Sequence, residues 1–197
     1  SKTQLSDAKK QLDEAKQTLS DSKRQLEDGQ AEINGRRAEI ESGWEKLSEG
    51  KKQLEEGRAQ YESGKAQYDE NLAKYEAGLQ QYEQGAAQLE QAALLMGEND
   101  PQIAAQRAVL EATKAQLDEA KTQLDAAKSQ LDEAEAQITQ NEQLIAETEQ
   151  QLTDGEAQLS AAQEQIDSGL QQYNDGLAQY NENYAKYENG VKQYNDG

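Results

Sequence analysis

The sequence predicts an all-α protein: a long antiparallel two-helix coiled-coil hairpin with large residues at heptad position a and Ala or Gly at d. Three observations carry that prediction. Every seventh residue from Leu5 to Met96 is large and apolar, and the series restarts at Ile103 and runs on to Tyr194. A strict seven-residue repeat demands a left-handed supercoil of helices. Position d, three residues after each a, is nearly always small, and of the 14 glycines only Gly35 and Gly97 fall elsewhere. A single stop-and-start signal, GENDP at residues 97 to 101, interrupts the pattern. Low aromatic content and high charge also suit a disordered chain, but disorder does not keep such a period.

Composition agrees with a seam and not with a globular core. The 197 residues include no Phe and one Trp, and only 34% are hydrophobic. A formal net charge of −19 opposes binding to nucleic acid or to an anionic membrane surface. With no Cys there are no disulfides or thiolate metal sites, and the redox compartment is left open. With no His as well, the usual general bases, nucleophiles and transition-metal ligands are missing, so neither catalysis nor a cofactor is expected. No apolar run approaches the roughly 20 residues of a membrane span. The start and stop in mid-pattern read as a segment of a longer protein.

The elements follow in order. Residues 1–96 form an ascending helix, 97–100 a turn and 101–197 a returning helix. Gly97 suits the left-handed residue after a helix, while Asp100 can cap the next one with Pro101 in its first turn. So short a loop forces antiparallel neighbours, giving a hairpin stalk roughly 140 Å long.

In an antiparallel pair, a residues of one helix lie level with d residues of the other, so large meets small. A glycine at d lets Leu or Tyr from the partner lie across its backbone. That offsets part of the roughly 1 kcal/mol that each glycine takes from a helix. Two registers satisfy this rule. Facing residue numbers add to 195, which the short loop favours, or to 202. Residues 129 to 185 carry acids and no base, opposite a stretch of the first helix dotted with bases. Position e pairs Lys51 with Glu149, Arg58 with Glu142 and Lys65 with Glu135 are expected, each worth about 0.2–1 kcal/mol.

Residues that break the pattern are the candidates for function. Glu55 and Glu56, or Asp132 and Glu133, read as solvated helix faces, and no metal is assigned to them. The stretch from Gly57 to Lys65 lacks both the spacing and the preceding strand of a phosphate loop. Arg36, Asn71, Asn141 and Asn183 occupy d positions, where they are expected to fix register, with Arg36 reaching out to solvent. Trp44 at position e reads as a cover for the seam. Leu170, Leu177, Tyr184 and Val191 widen the apolar stripe, as a better-packed base or as a docking face. Leu94, Leu95 and Met96, beside the turn, are expected to stand out because f and g positions otherwise read as Gln, Ala or charged. They either close the hairpin end or form a contact tip for a protein partner.

The runs QLEDGQAEI, KLSEGKKQLEEGRAQYESG and LQQYNDGLAQYNENYAKYENGVKQYNDG resemble the extracytoplasmic coiled-coil insertions of FtsX/MacB-type ABC transporter permeases of Gram-positive bacteria. Similar repeats occur in YhgE/Pip-type membrane proteins. The resemblance implies a place on the extracytoplasmic face of the bacterial cell membrane. It also implies a parent transmembrane permease and a cytoplasmic ATPase subunit as partners. A second reading, from a different class, is a cytoplasmic coiled-coil spacer arm of a chromosome-maintenance-type ATPase. Flanking membrane spans would favour the first and Walker motifs the second. A narrow seam is also compatible with pairwise dimerisation of hairpins.

Overall fold

The computed structural model describes residues 1–196, so Gly197, the last residue of the expected returning helix, lies outside the described residues. Two α-helices account for nearly all of them: α1 spans Lys2–Met96 and α2 spans Pro101–Asp196. Among the described residues there is no strand. The structure therefore has the all-α hairpin class that the heptads predict.

The chain divides into two units. One combines Ser1–Ser48 with Glu147–Gly197, and the other is Glu49–Ala146. Within each unit a segment of α1 packs antiparallel on a segment of α2. In the first, Ile166 Cδ1 lies 2.7 Å from where a Cβ on Gly29 would sit, and Leu152 Cδ2 lies 2.5 Å from that of Gly43. In the second, Leu131, Leu117 and Leu110 reach Gly64, Gly78 and Gly85 at 3.2–3.3 Å. The numbers of every one of these facing pairs add to 195, so the structure selects that register over 202.

Buried side chains are few among the described residues: Leu12, Ile33, Leu47, Leu89, Ile103 and Leu124. In the 195 register each of them faces a d residue that carries a side chain, such as Asn183 opposite Leu12 and Asn71 opposite Leu124. Large residues facing glycine are only half-buried. Glycine admits the leucine but leaves its flank wet, and a d side chain opposite is not by itself enough to bury it, since Leu54 opposite Asn141 and Leu159 opposite Arg36 are half-buried too. Asn71 and Asn183, themselves exposed, lie opposite the buried Leu124 and Leu12.

Not every glycine is there to admit a side chain. A Cβ on Gly50 or Gly57 would meet nothing within 4 Å, although both occupy d. At those two layers the sequence rule and the available space part company.

Candidate contact surface at the helical turn

The turn is built as its residues dictate. Gly97 has φ 98°, a conformation that side chains resist, and its N–H donates to the Ala93 carbonyl at 2.9 Å, closing α1. The Asp100 Oδ1 accepts from the Gln102 N–H at 2.8 Å, the geometry of an N-cap with proline in the first turn of α2. The end of the seam is then closed from inside by Leu89 and by Ile103, which is 1% exposed.

That closure leaves the three consecutive apolar residues outside. Leu94 is 87% exposed, Leu95 88% and Met96 50%. Leu94 at f points away from α2 and Leu95 at g lies on the flank, so neither reaches under the turn. The expectation that these residues close the hairpin end does not hold for Leu94 and Leu95, since Ile103 and Leu89 are the buried residues there, while Met96 at position a is half covered. Two further exposed residues of this unit, Val109 at 66% and Leu144 at 52%, also sit at g. Reading the g row as Gln, Ala or charged passes over them, although the heptad count alone places them there.

The charged groups form local pairs more than a continuous seam. Arg58 bonds Glu142 across the helices, with its Nε 3.0 Å from Glu142 Oε1, as the e-position pairing predicts. Lys65 does not bridge to Glu135. Its Nζ lies 2.9 Å from Asp69 Oδ2, one turn along its own helix, where no long side chain has to be ordered across the seam. On α2, Lys114, Lys121 and Lys128 bond Asp118, Asp125 and Asp132 at 2.8–2.9 Å. The hydrogen bond first, and then the carboxylate charge, raises each of these lysines above its ordinary pKa of 10.5. In the same way Lys74 lowers Glu70, and Lys186 lowers Glu182.

Other singled-out residues take plain places. Trp44 is half-buried and its Nε1 donates to Glu156 Oε1 at 2.7 Å, so it covers the seam as expected. Arg36 reaches outward to Glu32 Oε1 at 2.6 Å. Leu170 and Tyr184, both 42% exposed, lie along position e of the first unit. Among the described residues no group of three or more His, Cys, Asp or Glu side chains could hold a metal ion. Nor is any helix of those residues long and apolar enough to cross a membrane. No protein family, curated protein or solved structure matches the chain.

Proposed function

We propose that this chain is a non-enzymatic extracytoplasmic stalk of an ABC transporter permease, presenting Leu94, Leu95 and Met96 to a protein partner. The antiparallel return carries this reading. Leu5 Cδ2 lies 3.2 Å from where a Cβ on Gly190 would sit, so the chain enters and leaves the first unit side by side. A module with adjacent entry and exit can be inserted between two segments of a host protein without separating them. The exposed leucines beside the turn supply a contact surface, and the likeness of the repeat to permease insertions supplies the host. In this reading the parent permease anchors the stalk, and the cytoplasmic ATPase subunit drives the changes that the stalk couples to its partner.

The test is topological. The chain has no cysteine, so Glu55→Cys in the full protein, with any cysteine of the remaining protein replaced, provides a single thiol on an exposed helix face. Labelling of intact cells by a membrane-impermeant maleimide supports the stalk. Labelling only after permeabilisation refutes it and assigns the hairpin to a cytoplasmic spacer arm.

A further inference from the structure

The two flanks of the seam in the Glu49–Ala146 unit differ in chemistry. The e flank carries Arg58, Lys65 and Glu142, and then Leu72 and Leu79 opposite the lysines of α2. The g flank is a double row of glutamines, including Gln60, Gln67 and Gln81 on α1 and Gln116, Gln123 and Gln130 on α2. Its only charge is Lys74, held by Glu70 of its own helix at 2.5 Å. The exposed apolar residues Leu95, Val109 and Leu144 interrupt the same rows. Between the rows runs an open groove of about 510 Å³, floored by Tyr68, Tyr75 and Leu117.

We infer that this g face is the docking surface for a second copy of the chain. Charge selects the face. Two copies each carrying −19 repel through any acidic surface, whereas the g rows of this unit hold no acid and the single base Lys74, far fewer charges than the e rows. Chemistry selects the partner. A glutamine amide both donates and accepts, so a glutamine row is complementary to itself, as a two-fold interface requires. The molecule already makes such a pair elsewhere: Gln30 and Gln163 exchange two hydrogen bonds at 3.1 and 3.0 Å across the first unit. Packed side by side with the same polarity, α1 of one copy lies against α2 of the other. Lys74 then meets Gln123 of the second copy instead of another lysine, and in the same register Leu95 meets Gln102 and Val109 meets Gln88. The half-buried tyrosines of the groove floor gain the cover that two helices alone do not give them.

The test is sedimentation equilibrium on the 197-residue chain up to millimolar concentration, comparing the native sequence with two double variants. Gln116→Glu with Gln123→Glu places charge on the g face. Ala115→Glu with Ser129→Glu places the same charge on the f face. Native protein is expected to dimerise reversibly. The g-face variant should associate roughly tenfold more weakly or not at all, while the f-face variant stays close to native. All these positions are exposed, so the thermal melt of dilute protein should be unchanged, which separates lost association from lost folding. A native chain that is monomeric throughout, leaving the groove to another occupant, overturns the inference. So does a g-face variant that dimerises as well as the f-face one. The outcome does not depend on where in the cell the hairpin resides.

Discussion

Gly35, Gly43 and Gly57 allow packing to be separated from helix propensity in one experiment. Each lies in the interior of α1, so Gly→Ala should bring the same propensity gain of about 1 kcal/mol at all three. Their surroundings differ. A Cβ at Gly35 or Gly57 would meet nothing within 4 Å, but at Gly43 it would lie 2.5 Å from Leu152 Cδ2 and 3.5 Å from Cδ1. Leu152 must then move by about an ångström or change rotamer, an overpacking cost of about 1–3 kcal/mol. Gly35→Ala and Gly57→Ala should each stabilise by about 1 kcal/mol, or roughly 2–4 °C in melting temperature for a chain of this size. Gly43→Ala should be neutral or destabilising by up to about 2 kcal/mol. The assay is thermal and urea denaturation followed by far-UV circular dichroism, with both units' transitions fitted if they separate. If Gly43→Ala stabilises as much as Gly35→Ala, the close approach of Leu152 is not a constraint and the packing reasoning fails. If Gly57→Ala destabilises, its heptad position matters more than the space around it.

Other outcomes follow from the same contacts. Gly64→Leu should cost about 1–3 kcal/mol where Leu131 already lies 3.3 Å from the Cβ position, while Gly64→Ala should be mild; a stabilising leucine in the same melts would contradict the seam. A double-mutant cycle on Arg58 and Glu142 should give a coupling of about 0.2–1 kcal/mol that shrinks with salt. The same cycle on Lys65 and Glu135 should give less, and equal couplings would mean that Lys65 does not rest on Asp69 in solution. Leu94→Ser with Leu95→Ser should leave helix content and melting of the chain nearly intact, because both side chains are exposed, while under the proposed stalk function it impairs transport by the full protein; undiminished transport would remove the contact role. Glu70 should titrate below the ordinary glutamate value of 4.5 in carboxyl NMR and return toward it in Lys74→Gln. Its folded-state pKa is depressed, so its contribution is present above the unfolded value and is lost as pH falls through the folded one. An unchanged titration in Lys74→Gln would reject the pairing.

What the sequence determines by itself is whatever repeats. The spacing from Leu5 to Met96 and from Ile103 to Tyr194 fixes helices, heptad phase and the large-against-small seam, because a period of seven has one helical solution. Gly97, Asp100 and Pro101 fix the turn, since each has a backbone preference that needs no distant partner. Only the tertiary structure decides what depends on two segments meeting. It selects 195 over 202, because registers that differ by one heptad present identical patterns and are separated only by which side chains actually touch. It shows Gly43 filled by Leu152 and Gly57 facing open space, a difference of local rotamer and helix approach to which heptad position is blind. It turns Lys65 onto Asp69 instead of Glu135, because two carboxylates compete and the nearer one, on the same helix, requires less ordering. It also leaves Leu94 and Leu95 in solvent, because the two helices close on Ile103 and Leu89 before reaching them.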